Sequence, residues 1–423
     1  MMATIKQIQA HEILDSRGNP TIETSIVLSD GTNCLASIPS GASIGKYEAV
    51  ELRDEDPNRY SGMGVLKAVA NVNTVIAPRL RGLDVIKQGE IDALMLEIDG
   101  TKNKSRLGSN SILSVSLAVC RAAAIAVHLP LYTYINELIN GKLPNNIGAM
   151  PTPTFNIING GKHGTGNLDF QEFHVVPATI KPYHEALQIG EEVYQKLKTV
   201  LIGRNATHSV GDEGGFVQNL YTNTDALEAI MEAIRATRYK FGFDIFLGMD
   251  LAATNFRRED AYLIKDRPTS LSSEEFIDYL VELHKNYHLL LLEDPLSEDD
   301  WKSWQNLTQK MNREVIIVGD DLLVTNPDRL RKAIQDKACS AILVKPNQIG
   351  TLSETLNVIK IARSGDFKII VSHRSGETND AFIADLAVGT GADYVKFGAP
   401  ARGERVAKYN RLLEIERELK LTI

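Results

Sequence analysis

Cysteine is scarce in this chain: Cys34, Cys120 and Cys339 are odd in number and never spaced as CxxC, which argues against a disulfide framework or a zinc ribbon. Lys and Arg form no run, and 46 of them against 54 Asp and Glu leave a formal charge of −8, so there is no electrostatic footprint for generic nucleic-acid binding. Clean apolar runs are missing too. The most hydrophobic helical stretch, Ile112 to Leu131, is interrupted by Arg121 and His128 and falls short of the ~20 residues that a bilayer span needs. The opening MMATIKQIQAHEIL has no apolar signal core, so a cytoplasmic location is expected. What is there is an ordinary globular composition, 43% apolar and 24% charged over 423 residues, long enough for two domains.

Residues 1–140 and 141–423 read differently. Thr4–Leu14 and Thr21–Leu28 are strand-like, and Asp30-Gly31 ahead of Cys34 reads as a hairpin turn. Helical periodicity follows over Val65–Pro78, Glu90–Ile98 and the Ala-rich Ser111–His128, which stops before Pro130. Strands first and helices after is α+β order. Asn140–Pro153, rich in Pro, Gly and Asn, marks the expected boundary. Beyond it come eight β-rich runs: Thr154–Ile158, Phe170–Val176, Ile245–Asp250, Leu289–Glu293, Val315–Asp320, Ala341–Lys345, Lys368–His373 and Tyr394–Lys396. From Ile245 onward, helical segments such as Ser273–Tyr287 and Ser353–Ser364 separate them, which predicts a (β/α)8-type barrel. The first two runs are too close for a parallel crossover, so they form a hairpin, followed by two successive helices near Pro182–Leu201 and Asp225–Tyr239.

Six of these runs finish on an ionisable residue: Asp250, Glu293, Asp320, Lys345, His373 and Lys396. In a barrel the C-terminal strand ends converge on one face, so these residues would surround one pocket. Asp250, Glu293 and Asp320 form an oxygen-only set that suits a hard cation, Mg²⁺ rather than Zn²⁺. Asp294 and Asp321, next door, are expected to support the ligands or cap. Lys345 can act as a base only when neutral, and Lys396 with a divalent cation would lower its pKa; the alternative is an ion pair with one of the acids. GDEGGF (Gly211–Phe216) offers Asp212 and Glu213 in a glycine-rich turn, and NGGKH…QEF (Asn159–Phe173) brings His163, Gln171 and Glu172 to the ends of the hairpin. PSGASIGK (Pro39–Lys46) fails as a phosphate loop, because Gly41 and Gly45 are too close and Tyr47 stands where Ser or Thr is required; it reads as a mobile lid.

The chain resembles enolase over its whole length, through DSRGNP (Asp15–Pro20), PSGAS, EAVELRD (Glu48–Asp54), NGG…H…QEF, GDEGG, EDPLSEDDW (Glu293–Trp301), GDDLLVTNP (Gly319–Pro327), VKPNQIGT (Val344–Thr351), SHRSGET (Ser372–Thr378) and GAPARGERVAKYN (Gly398–Asn410). The resemblance is to the bacterial type. The resemblance implies an N-terminal α+β domain followed by a barrel whose second strand is antiparallel, and reversible dehydration of 2-phospho-D-glycerate to phosphoenolpyruvate. It implies two Mg²⁺ per site, the first on Asp250, Glu293 and Asp320 and the second trapped with help from Ser43 of the lid. Lys345 then corresponds to the base, Glu213 helped by Glu172 to the acid, Arg374 and Ser375 to the phosphate binders, and Lys396 to the carboxylate contact. In the same resemblance His163 and His373 correspond to residues that close around the substrate, with Gln171 beside them.

A homodimer or octamer is implied in the same way, while an RNA-degradation assembly or surface display belongs to some relatives and has no signature here. The sequence departs from the usual pattern at Ile44, Lys162, Val217, Gln218, Thr254 and Asn255, none of which removes a residue assigned to chemistry. These departures motivate the alternative, a non-catalytic paralogue with a binding or scaffold role.

Overall fold

Alternating burial along Ile5–Leu14 and Pro20–Leu28 turns one face of each segment into core, and the two pair antiparallel over nearly their full length. The turn read at Asp30-Gly31 returns the chain into a third strand, Asn33–Ser37, with Gly31 at a φ of 94° that a side chain would resist. The Ala-rich helix, Ser109–Ala126, packs across the last two strands. It is long and apolar enough to cross a membrane, and 83% of it is buried inside the fold.

The computed structural model describes residues 3–41, 46–142, 148–164, 168–311 and 314–421. The helix expected over Val65–Pro78 is present but uneven: between Leu66–Ala70 and Ala77–Leu80 the turns widen to π geometry over Asn71–Ile76. There Asn73 clamps the first strand, accepting from the Ala10 N–H at 2.8 Å and donating to its carbonyl at 3.1 Å. A helix not read from the sequence, Leu131–Asn140, follows Pro130.

The remainder closes into an eight-stranded barrel of Thr152–Asn159, Glu172–Pro177, Ile245–Asp250, Leu289–Glu293, Ile316–Gly319, Ala341–Val344, Lys368–Ser372 and Tyr394–Lys396. The last strand pairs parallel with the first to complete the ring. Only the second strand runs against its neighbours, as the hairpin spacing required. Two helices, Tyr183–Gly203 and Asn223–Arg235, precede the third strand, with a small ribbon of Ser209–Val210 and Phe216–Val217 between them that the sequence did not announce. Val176, Leu291, Val318, Ala341, Leu343, Ile370 and Tyr394 fill the barrel interior.

Register decides what shares the rim. Asp250 lies beside Glu293 on one side and Glu172 on the other, and Ser372 lies beside Lys396. Because the second strand is reversed, its first residue sits at the end where its neighbours finish. Asp320, Lys345 and His373 fall one position beyond their strands, at the start of the following loops.

One glycine tests how closely the outer layer packs. A Cβ on Gly190, in Tyr183–Gly203, would stand 2.2 Å from the ring of buried Phe155. Gly190→Ala is therefore expected to destabilise by about 1–3 kcal/mol through overpacking, although alanine is the better helix former by about 1 kcal/mol. Urea titration checks this, and a variant as stable as the parent would show room between helix and barrel.

Candidate active site

The rim encloses a cavity of about 330 Å³ lined by polar side chains from seven strand ends and from loops. Lys345, Glu213, Glu172, His373, His163, Arg374, Ser375, Lys396, Gln171, Asp250 and Asp320 all line it, and Glu293 meets it through Lys396. Ser43 and Ile44 lie outside the described residues.

Lys396 is the hub of one wall. Its ammonium donates to both Glu293 oxygens at 2.9 Å and to Asp250 at 3.1 Å, and it stands 3.1 Å from Glu172. Burial works against that charge, but Asp250, Glu172 and Glu293 outweigh it and raise the amine well above its ordinary value. Gln171 donates to Asp250 at 3.2 Å. Asp320 accepts from Gln348 at 3.0 Å and from Lys345 at 2.5 Å.

Lys345 forms an ion pair with Asp320 in this arrangement. Burial would lower its pKa, but Asp320 reverses the direction and keeps it charged. The ion pair with one of the acids, the alternative open for Lys345, is the arrangement found.

Asp294 supports both sides of the acid cluster. Its backbone takes a φ of 41°, rare for aspartate, and its carboxylate accepts from the N–H groups of Asp320 at 3.1 Å and Asp321 at 2.8 Å. Carboxylate oxygens of Asp250, Glu293 and Asp294 lie within 4.8 Å of one another, and so do those of Asp294, Asp320 and Asp321. Negative charge is in surplus here. Burial and then Asp250 lift Glu293 well above the ordinary carboxyl range despite Lys396, and burial with Asp320 pushes Asp321 to about 7. A buried, oxygen-only set with more carboxylates than ammonium partners fits a hard divalent cation, and Asp294 is the member common to both groups.

On the other wall, Glu213 accepts from Ser375 Oγ at 2.8 Å and Asn156 Nδ2 at 3.1 Å. The neighbouring Asp212 points outward and gives the site only a carbonyl. His163 lies 3.2 Å from Glu172 and 3.6 Å from Glu213, and its Nε2 is 3.4 Å from Ser375 Oγ. Burial favours a neutral His163, but Glu213 and then Glu172 overcome this and raise it to about 9. Glu213 itself, which burial would raise, is held well below the ordinary range by His163 and His373. The two directions favour a carboxylate at Glu213 beside a protonated His163.

The same shift has a stability consequence. A histidine whose folded pKa exceeds its unfolded value stabilises fully below 6.5, and that contribution is lost as pH rises to about 9. An interval of that size is worth about 3 kcal/mol at most. His163→Gln is expected to flatten this part of the stability–pH curve in denaturant titrations, and an unchanged slope would show that the imidazole is not charged.

Arg374, expected at a phosphate, donates to Glu48 at 2.9 Å and Asn347 at 3.2 Å. Its loop is stitched to the N-terminal domain: Ser40 and Gly376 exchange backbone hydrogen bonds at 2.8 and 3.1 Å, and the Ser16 N–H donates to the Glu377 carbonyl at 2.7 Å. Glu48, Asn347, Gln348 and the buried His174, 2.8 Å from Glu172, escaped the sequence reading. Asn347 and Gln348 lie within the VKPNQIGT stretch and Glu48 opens EAVELRD, so all three stood in matched stretches, but nothing there shows that Glu48 pairs with Arg374. Of the departures from the usual pattern, Lys162, Thr254 and Asn255 line the mouth of the cavity, while Val217 and Gln218 stand outside it.

Both parts of the chain match a known family. The model described as Enolase, N-terminal domain matches residues 5–135, and that described as Enolase, C-terminal TIM barrel domain matches residues 148–422.

Proposed function

Since the chain belongs to the enolase family, with matched regions in both its parts, we propose that it is a magnesium-dependent lyase that reversibly dehydrates 2-phospho-D-glycerate to phosphoenolpyruvate and water. The observation that carries this reading is the sharing of one cavity by Lys345, Asp250, Asp320 and the Glu213–His163–Glu172 cluster, with Glu293 joined to it through Lys396. A proton next to a carboxylate is hard to remove because a second negative charge develops on the same group. Two Mg²⁺, the first on Asp250, Glu293 and Asp320 and the second reached by Ser43, would supply Lewis-acid stabilisation of that charge when bound.

The side chains divide the remaining work. Lys345 removes the C2 proton in its neutral form, and its electron pair takes that proton as the C2 carbanion forms. The C3–O bond then breaks, and Glu213, drawing on the proton shared with His163 and Glu172, protonates the departing hydroxyl so that water leaves. Arg374 and Ser375 hold the phosphate, Lys396 and Gln171 orient the carboxylate end, and His373 and His163 close on the substrate from the rim. We further propose a cytoplasmic homodimer or octamer.

The test follows phosphoenolpyruvate formation from 2-phosphoglycerate with Mg²⁺ and again with EDTA. Turnover with the metal and none with the chelator is expected. Folded, Mg²⁺-replete protein without turnover would overturn the proposal and leave a binding or scaffold role.

A further inference from the structure

Arg405 has no place in the chemistry above, yet it is the charged side chain most completely enclosed near the cavity. It lies in the first turn of Gly403–Leu421, within the GAPARGERVAKYN stretch, and is 0% exposed. A buried guanidinium ordinarily pairs with a carboxylate. Here Glu404 approaches only its Nε, at 3.4 Å, and the two terminal nitrogens turn elsewhere. One donates to His373 Nδ1 and to the Arg374 carbonyl, both at 2.6 Å. The other donates to the Ser375 carbonyl at 2.6 Å, the Asp212 carbonyl at 3.0 Å and Ser16 Oγ at 3.5 Å.

A guanidinium has donors and no acceptor, so a nitrogen it bonds must supply a lone pair. His373 Nδ1 is therefore unprotonated, and a neutral ring must carry its proton on Nε2. That nitrogen is buried, has no hydrogen-bond partner among the described residues, and lies 3.5 Å from Glu213 Oε2 on the cavity side. We propose that Arg405 is a positioning residue that fixes His373 as the neutral Nε2–H tautomer, so that the ring presents one donor to Glu213 and to the bound anion. The same guanidinium joins the loop that carries Glu213 to the loop that carries Arg374 and Ser375.

The charged groups facing the ring agree with this assignment. Burial lowers the His373 pKa first; Glu213 and Glu172 pull it upward and Arg405 pushes it down, and the outcome is about 4. A second proton on this ring would have to sit on Nδ1, pointing into a permanent cation.

The tautomer can be read without reference to turnover, which separates this inference from the reaction on which its catalytic meaning rests. The full chain, labelled with ¹⁵N-histidine and assigned by loss of the His373→Gln signal, is expected to show one His373 ring protonated at Nε2 and bare at Nδ1, with no titration through neutral pH. Arg405→Met, which keeps no donor, is expected to expose an Nδ1–H population or a ring that titrates near the ordinary histidine value. Arg405→Lys keeps a donor for Nδ1 and should retain the parent tautomer. In the assay, Arg405→Met should lower kcat by roughly 10²-fold, the scale of losing one preorganised donor, with a smaller change in KM. An Nδ1-protonated ring in the parent protein overturns the proposal even if Arg405→Met fails to fold. So does a folded Arg405→Met variant whose His373 spectrum matches the parent.

Discussion

Lys345→Met is expected to lower turnover of 2-phosphoglycerate by about 10⁴-fold, the upper end of what a positioned base contributes, with the fold intact. The lysine sits one residue beyond Ala341–Val344, and its stem is largely enclosed, so the amine has little freedom to leave the cavity. Its charge state is the revealing part. Asp320 raises the amine's pKa against the effect of burial, yet Asp320 is also one of the three carboxylates proposed to hold the cation. Once that carboxylate is engaged elsewhere, the main support for the ammonium is gone, while Arg374 and Lys396 still press its pKa downward. Lys345→Arg discriminates between a charge and a base, because it can keep the ion pair with Asp320 but cannot become neutral. It should melt like the parent and remain as inactive as Lys345→Met. Exchange of the C2 hydrogen with solvent deuterium, followed by NMR, should vanish in both. Retained exchange in either would assign proton removal to another group.

Lys396→Met carries the largest expected effect on stability. It leaves Asp250, Glu293 and Glu172 without the ammonium that now lies within 3.1 Å of all three. Stranding a buried charge in this way costs about 3–5 kcal/mol. In EDTA the loss should appear in full by urea denaturation. With Mg²⁺ it should shrink, since a ligand that binds only the folded state at 100 times its Kd returns about 2.7 kcal/mol, and the variant has more unbalanced charge for the cation to neutralise. An equal loss in both conditions would show that lysine and cation do not serve the same carboxylates.

The parts of this site that were legible in the sequence are those fixed by periodicity. Asp250, Glu293 and Lys396 could be placed on one rim because a barrel turns strand ends into neighbours, and the short gap before Glu172 demanded a reversed strand. Asp294 could be suspected from its position beside Glu293. Protonation was not legible, because it depends on distances between residues far apart in the chain, as with His163 and Glu213 or Lys345 and Asp320. The pairing of Glu48 with Arg374 spans 326 positions and leaves no local pattern. Arg405 was visible as part of a matched stretch, but nothing in its surroundings there distinguishes a solvated helix arginine from one turned inward. Likewise, the wide turns at Asn71–Ile76 arise where Asn73 meets the first strand, a contact that helical periodicity does not encode.

The backbone exchange between Ser40 and Gly376 bears on how such a protein can be divided. A barrel cut away from the preceding strands would keep its carboxylates and both lysines, but the segment presenting Arg374 and Ser375 would lose the Ser16 and Ser40 anchors and its Glu48 partner. The unit of function is thus the joined pair, and neither half is a transferable module.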